Sequence, residues 1–301
     1  MNLRLLEYFL VTAEAESINK AAETIPISQP TLSRQLRELE NEVGVELFLR
    51  DNKGITLTEE GVLLKRRARE ILDLMDKTEH ELKEQTEVIE GKLTIGCGES
   101  KAVENFVPLM KEFRKLYPLV TFELFTGSAD DVTEGMDKGL IDIGILIEPV
   151  NLDKFDYIRL SDKQYYVATM AADDPLADKD FITKEDLIGR ELILPKRHSV
   201  QDELGEWFGE DFDRLNIAYT GNLLLNSLIL VKDGNDIAIT VERPEIMCGN
   251  NDVVSVLLKP EISVKSVIAW KHANPYPKLL DKFIDFLVEN IPDGDLHEKK
   301  G

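Results

Sequence analysis

The sequence predicts an α+β protein of several domains: a small helical domain, then one long helix, then a larger α/β region. Three observations support this class. Residues 1–58 show short helical patterns separated by tight breaks, and a hairpin pattern closes the segment. Residues from Thr58 to about Val88 contain no proline. From Lys92 onward, strand patterns alternate with helical patterns, which is typical of a parallel sheet with right-handed crossovers.

The composition is that of a folded and strongly acidic chain. The 301 residues include 36 Lys and Arg against 57 Asp and Glu, which gives a formal net charge of −21. A hydrophobic content of 43% excludes a wholly disordered chain. Apolar runs are shorter than the ~18–20 residues of a membrane-spanning helix, and the N-terminus lacks the pattern of a secretory signal. We therefore expect a cytoplasmic protein without membrane association.

Cysteine and histidine spacing does not support an enzyme or a metal site. Cys97 and Cys248 lie far apart in sequence, so neither a disulfide framework nor a pair of metal ligands is indicated. The histidines are scattered, and neither HExxH nor a nucleotide-binding glycine motif occurs. We expect no enzymatic activity, no cofactor and no metal. Cys97 is interpreted as a small buried residue, with a redox-sensing thiol as the alternative.

The first domain carries a helix-turn-helix pattern. A helix from Ile18 to about Thr24 precedes a break at Pro26, and the next helix begins after Ser28, a favourable N-cap. Pro30 fits the first turn of that helix, where a missing N–H costs little. The second helix of such a motif enters the major groove of DNA by its N-terminal end. The residues expected on the DNA side are Gln29, Thr31, Ser33, Arg34 and Arg37.

The chemistry of these side chains suits DNA reading. Arginine pairs with guanine, glutamine pairs with adenine, and hydroxyls bind phosphates or bases. Leucines on the opposite side of the helix, at 32, 36 and 39, predict its buried stripe. On spacing alone, a solvated polar face on a small helical domain remains the alternative.

The long helix shows a heptad seam. Apolar or small residues step by alternating four and three positions, as in a coiled coil. The positions are Leu64, Ala68, Ile71, Met75, Thr78 and Leu82. This stripe predicts a partner helix in a dimer. A helix that lies on its own domain is the alternative.

The segment AETIPISQPTLSRQLRELENEVGVELFLRDNKGITLTEEG resembles the N-terminal signature of the LysR-type transcriptional regulators. The matching elements include Ser28-Gln29-Pro30, Leu32-Ser33-Arg34, Leu39-Glu40 and Gly61. The resemblance implies a winged helix-turn-helix over residues 1–58 and a dimerising linker helix over 59–89. It also implies a two-lobed α/β effector domain like the type 2 periplasmic binding proteins. Lobe I would comprise residues 92–162 and 268–292, and lobe II residues 163–267.

The resemblance also assigns roles on DNA. Gln29, Thr31, Ser33 and Arg34 would read bases or adjoining phosphates, Arg50 would grip a phosphate, and Lys53 in the wing would approach the minor groove. Residues 1–91 hold 12 basic and 19 acidic side chains, so the DNA-binding part is not basic overall. A weakly charged monomer binds DNA poorly, and we therefore expect a dimer that reads two half-sites with strongly salt-dependent affinity.

Loops after the strands of the α/β region form the expected effector site, because ligands of such folds bind at the carboxyl ends of strands. The residues expected there are Ser100, Lys101, Thr126, Gly127, Ser128, Arg197, His198, Ser199 and Asn222. Hydroxyls and backbone N–H groups suit a carboxylate. Glu99 would repel an anion or bind an amine. Helix capping by Ser100, Ser128 and Asn222 is the alternative role of those residues.

The function expected from these features is sequence-specific DNA binding under the control of a small molecule. The expected partners are double-stranded promoter DNA, a small-molecule co-inducer such as a carboxylate, and RNA polymerase if the protein is an activator. We expect a homodimer or homotetramer. The competing interpretation is a solute-binding protein of periplasmic type without a role on DNA; an enzyme of the porphobilinogen-deaminase-like fold class is more distant.

Overall fold

The computed structural model describes residues 2–51, 54–83, 88–242, 252–273, 276–291 and 293–298. The chain divides into two compact units, Met1–Gln85 and Thr86–Gly301.

The first unit contains four helices and a two-stranded hairpin among its described residues. The helices are α1 (Leu3–Ala15), α2 (Ile18–Thr24), α3 (Gln29–Val43) and α4 (Glu59–Lys83), and the strands are β1 (Phe48–Asp51) and β2 (Gly54–Leu57). Side-chain oxygens of Asn2 and Ser17 accept hydrogen bonds from the first turns of α1 and α2. Gly44 ends α3 with a φ of 76°, a left-handed conformation that glycine adopts without steric cost.

One apolar core holds this unit together. Leu32, Leu36 and Leu39 are fully buried against α1, where the Phe9 ring lies 5.3 Å from the ring of Phe48 in the wing. The stripe expected from the leucine spacing is therefore the inner face of α3. The opposite face of the same helix remains in solvent.

Helix α4 packs partly on its own unit, which corrects the predicted seam. Ala68 is fully buried in the core of the first unit, and Leu64 is half-buried against it. Ala68 therefore has no surface left for a partner helix, and Leu64 has only part of its surface left. Ile71 is 38% exposed and Met75 half-buried, whereas the side chain of Leu82 lies outside the described residues. The predicted end of the helix, at 84–87, also lies outside them.

The outer side of α4 carries a different apolar stripe. Leu63 and Leu74 are 53% and 42% exposed, and they are eleven residues apart, about three helical turns. Ile71 lies one turn before Leu74 and continues the stripe. The heptad positions thus fall partly on the buried side of α4 and partly on its exposed side. The periodicity alone did not distinguish the two sides.

The second unit alternates strands and helices in the predicted order. Its first half contains β3 (Gly91–Cys97), α5 (Lys101–Leu116), β4 (Val120–Thr126), α6 (Ala129–Asp137), β5 (Ile143–Ile147) and β6 (Phe155–Ala171). Next come α7 (Lys184–Leu187), β7 (Glu191–Pro195), α8 (His198–Phe208), a 3-10 turn (Gly209–Arg214), β8 (Asn216–Gly221), α9 (Leu224–Asp233) and β9 (Ile237–Val241). The last elements are β10 (Val253–Leu257), β11 (Ser263–Lys271), α10 (Lys278–Asn290) and β12 (Asp295–His297).

These strands pair in the order β4-β3-β5-β11-β6-β9-β7-β8, with β10 and β12 also on β6. Strand β3 runs parallel to β4 and β5, and β7 runs parallel to β8 and β9. The long strands β6 and β11 are antiparallel to each other, and the β11 register shifts between Lys265 and Val267. The two parallel groups are therefore joined by one antiparallel pair.

Two separate cores make these groups two lobes. Phe106, Phe113, Phe283 and Trp270 belong to the first core. Tyr166, Leu192, Leu204 and Phe208 belong to the second. The predicted lobe limits fall within the connecting strands β6 and β11, which pass from one core to the other. The structure thus shows the expected two-lobed α/β architecture, with a cleft at the carboxyl ends of the parallel strands.

Candidate nucleic-acid interface and effector cleft

The N-terminal half of α3 presents a polar and basic surface. Gln29, Arg34 and Arg37 are exposed, and Thr31 and Ser33 are half-buried beside them. The hydroxyls of Ser28 and Thr31 lie 2.9 Å apart at the start of the helix. The five predicted DNA-facing residues therefore share one end and one side of α3, opposite its leucine stripe.

Arg34 and Arg37 are available for an external anion. Within the described part of the chain, neither guanidinium forms an ion pair or a side-chain hydrogen bond, whereas Arg67 pairs with Glu70 at 2.6 Å. Arg69 likewise pairs with Glu14. The basic run at the start of α4 is thus partly neutralised by the chain itself, and the two arginines of α3 are not.

The wing is described only in part. Arg50 lies in β1, but its side chain is outside the described residues, and Lys53 is itself outside them. Their contacts with phosphate and with the minor groove stay predictions. The backbone that carries the wing is held by Glu40, whose Oε1 accepts from the N–H groups of Leu47 at 3.0 Å and Phe48 at 3.2 Å.

The second unit has a cleft between its lobes with a cavity volume of about 160 Å³. Aliphatic side chains from both lobes form most of its wall. They come from the ends of β5, β7 and β9 and from the starts of α8 and α9. The apolar members include Ile145, Ile147, Ile193, Val200, Leu224 and Ile239.

Four of the nine expected effector residues line this cavity: Gly127, Ser128, Arg197 and Asn222. The other five, Ser100, Lys101, Thr126, His198 and Ser199, are not part of the lining. Ser100 is buried at the start of α5 without a capping side-chain bond, and Thr126 is exposed at the end of the edge strand β4. Position in a loop therefore predicted segments that contribute to the cavity lining, whereas the side chains that line it depend on local geometry.

The helix starts at the cleft differ in how they are capped. Ser128 forms a capping box with Asp131 at α6, which confirms capping as one of its roles. Asn222 is not the N-cap of α9; that position is Leu223, which has no capping side chain. Instead, the Glu99 Oε2 atom, from the other lobe, accepts a 2.8 Å hydrogen bond from the Leu225 N–H.

Arg197 makes a second contact between the lobes. Its Nη2 donates to the Pro149 carbonyl at 2.7 Å, and its Nε donates to Asp130 at 3.2 Å. The guanidinium side chain is only 15% exposed, whereas Asp130 is 71% exposed. One bond of Glu99 and two bonds of Arg197 thus join the lobes at the rim of the cleft.

Sequence reasoning missed several lining residues, of which Tyr166, Ser227 and Thr240 carry hydroxyls. Tyr166 donates to Glu203 at 3.2 Å, and burial, reinforced by that carboxylate, raises the pKa of its hydroxyl. The phenol is therefore a neutral donor. Thr240 comes from β9, whose apolar pattern IAITV gives no sign of a ligand wall, and only the strand order brings it to the cleft.

Cys97 is buried at the end of β3, and burial raises the pKa of its thiol. A raised pKa lowers the thiolate population on which reactivity depends. This environment favours the interpretation of a small buried residue over that of a redox sensor. Cys248 lies outside the described residues.

Two family models match the chain. The model of bacterial regulatory helix-turn-helix proteins of the lysR family matches residues 3–62, and that of the LysR substrate binding domain matches residues 86–292. The chain belongs to the LysR family of transcriptional regulators. It is accordingly a DNA-binding transcriptional regulator with an effector-binding domain, and the interpretation as a solute-binding protein without a role on DNA is not supported.

Curated relatives of this LysR-type regulator are themselves named as transcriptional activators. The Hca operon transcriptional activator HcaR of Escherichia coli is 30% identical over 299 residues, which cover 97% of this chain and 98% of the relative. The transcriptional activator IlvY of Salmonella typhimurium is 31% identical over 209 residues, 69% of this chain and 71% of the relative.

Solved structures of full-length LysR-type regulators share the fold. HinK from Pseudomonas aeruginosa, at 27% identity, superimposes with a TM-score of 0.56 over 96% of this chain and 98% of HinK. CbnR gives a TM-score of 0.71 at 22% identity over 97% and 99% of the two chains, a likeness of fold alone. Among the described residues, no helix has the length and apolarity to cross a membrane.

Proposed function

We propose that α3 reads an operator in the major groove, with Gln29, Thr31, Ser33, Arg34 and Arg37 as the contacting residues and Arg50 and Lys53 as wing contacts. The observation that carries this proposal is the exposed face of α3, where two guanidinium groups lack a carboxylate partner within the described residues. Free guanidinium groups bind phosphate and guanine in a bidentate manner. Because the chain as a whole is acidic, its affinity for DNA depends on these few contacts.

Fluorescence anisotropy with a promoter duplex tests this assignment. Arg34→Ala should weaken binding by about tenfold or more, since a good base contact is worth about 1–3 kcal/mol. Arg214→Ala is the matched control, because it removes the same charge from an exposed position in the second unit. Equal effects of the two substitutions, or none from Arg34→Ala, would show that α3 is not the reading helix.

We propose further that the protein is a homodimer through the outer stripe of α4 and assembles into a homotetramer through its effector domains. Leu63, Ile71 and Leu74 form an exposed apolar row that a second α4 would cover, with the half-buried Met75 at its flank. Leu82, whose side chain lies outside the described residues, stays part of the predicted seam. In the second unit, edge strands β4 and β8 expose Leu124, Phe125, Ile217 and Tyr219. These edges support the second type of contact.

Sedimentation equilibrium tests the first of these contacts. Leu74→Glu should lower the association state, because it places a charge within an apolar seam. Val288→Glu, at an exposed position on α10, is the matched control and should leave assembly unchanged. An unaltered mass for Leu74→Glu would mean that α4 pairs through another face.

The cleft between the lobes is proposed as the effector site, and the domain limits 1–58, 59–89, 92–162 with 268–292, and 163–267 are proposed with it. The support is the cavity lined by both lobes, since a ligand there changes the relative stability of lobe arrangements. HcaR and IlvY are named as activators, and we extend that role, with RNA polymerase as a partner, to this chain. Its place of action is then the cytoplasm, where bacterial promoter DNA lies.

A further inference from the structure

Most of the charged groups around the cleft are carboxylates of the chain itself. Glu99 occupies the Leu225 N–H at the start of α9, and Asp131 occupies the start of α6 through its capping box. Arg197, the one cation among the described residues of the lining, is already bonded to Asp130 and to a carbonyl. Tyr166, also in the lining, is bonded to Glu203. Within the described residues, the lining and the side chains bonded to it therefore carry four carboxylates and one guanidinium.

This arrangement disfavours a ligand carboxylate at the starts of α6 and α9. An anion binds at a helix N-terminus through free N–H groups, or beside an unpaired cation. At α9 the N–H is already bonded to Glu99, and a second carboxylate beside it would be repelled by a like charge. Among the described residues, the starts of α5 and α8 carry no capping side chain, but the excess of carboxylates around the cleft disfavours the carboxylate ligand expected from the loop composition.

Glu99 itself has an unused acceptor. Its Oε2 atom bonds to Leu225, and within the described residues its Oε1 atom accepts no hydrogen bond. The residue is half-buried and lines the cavity. A carboxylate oxygen that lines an apolar cavity and accepts no hydrogen bond within the described residues is free to accept one from an ammonium group.

The volume of the cavity and its other lining residues indicate the size and polarity of the rest of the ligand. The cavity is close in volume to an engineered cavity of about 150 Å³ that binds benzene, and its wall is mostly aliphatic. We propose that the effector of this regulator is an organic amine with an apolar body about the size of one ring, and that Glu99 selects it by binding the ammonium group. This inference rests on the proposed role of the cleft as the effector site.

Three probes with the same ring test the proposal on the full chain: benzylamine, benzamide and benzoate. They carry a positive charge, no charge and a negative charge, and benzamide matches benzoate in shape. Isothermal titration calorimetry should rank them in that order for the wild type, and thermal shift should follow by mass action. In Glu99→Gln, the affinity for benzylamine should fall at least tenfold, while that for benzamide changes less than threefold.

Glu112→Gln is the control, because Glu112 is exposed on α5 in the same unit and its substitution changes the net charge equally. It should leave all three affinities unchanged. Binding of benzoate to the wild type as tight as that of benzylamine, a preference that survives in Glu99→Gln, or no binding of any probe would each overturn the inference. Promoter binding, measured on the same samples, reports separately on the proposed DNA-binding function. Urea unfolding followed by tryptophan fluorescence shows whether the second unit of Glu99→Gln is folded, because both tryptophans lie there.

Discussion

The hydrogen bonds between Glu40 and the wing are the contacts in the first unit whose removal should affect its stability most clearly. Glu40 Oε1 accepts from the N–H groups of Leu47 at 3.0 Å and Phe48 at 3.2 Å, which lead into β1. Both residues are buried, at 1% and 5% exposure, so water has little access to replace the acceptor. Glu40→Ala therefore leaves two buried donors unsatisfied.

The expected loss of unfolding free energy follows from the number of donors that lose their acceptor. A buried donor without a partner costs about 1–3 kcal/mol, so Glu40→Ala should lower the unfolding free energy of the first unit by about 2–6 kcal/mol. Glu40→Gln keeps an amide oxygen as an acceptor and should cost about 1 kcal/mol, because it loses only the charge-assisted part of the bonds. For a unit of this size, the larger loss is a considerable part of a total of about 5–15 kcal/mol.

The two units can be followed separately, because both tryptophans, Trp207 and Trp270, lie in the second. Hydrogen exchange of α1 and α3 reports on the first unit, and tryptophan fluorescence during urea unfolding reports on the second. Glu40→Ala should raise exchange in the helices and weaken DNA binding while the fluorescence midpoint stays in place. A loss below about 0.5 kcal/mol, or an equal shift of the tryptophan transition, would refute the reasoning.

Three further predictions concern α4, the cleft and pH. Ala68→Leu should destabilise the first unit by about 1–3 kcal/mol without a primary effect on dimerisation, because Ala68 is fully buried; hydrogen exchange and sedimentation separate the two outcomes. Arg197→Ala should lower the stability of the second unit by about 1.5–3 kcal/mol, whereas Asp130→Ala should cost less than about 1 kcal/mol, because Asp130 is mostly exposed; equal losses in urea unfolding would contradict this ranking. Burial alone would raise the pKa of Asp174, but Arg190 and the Leu176 N–H hold it below its ordinary value. The pair's contribution to stability is therefore complete above that ordinary value and is lost as the pH falls below it, through the folded pKa. Asp174→Asn should flatten the decline of the tryptophan-unfolding midpoint between about pH 5 and pH 3, and an unchanged slope would exclude the pair as its cause.

Local patterns predicted the bounds and the two faces of α3 well. The leucines of α3 repeat at helical spacing, Ser28 precedes the helix, and Gly44 ends it, so the buried and polar faces follow from position along one element. The same holds for the alternation of strands and helices after Lys92. These features depend on neighbours within a few residues, and the sequence records such neighbours directly.

The seam of α4 shows where that reasoning stops. Leu64 and Ala68 continue the heptad spacing of Ile71 and Met75, yet they are covered by the first unit, and the exposed row includes Leu63 and Leu74. An apolar stripe on a helix predicts that this surface will be buried. It does not state what covers it, because the covering residues come from elsewhere in the chain.

The sequence by itself determined the family, the order of the elements and the buried and polar faces of α3, since each depends on motifs and periodicities within short segments. The tertiary structure decided which residues line the cleft and which charged groups meet there. Glu99 meets Leu225, 126 positions further along the chain, and Arg197 meets Pro149 only because β6 and β11 bring two lobes together. Such contacts arise from strand order, and spacing along the sequence does not encode them locally.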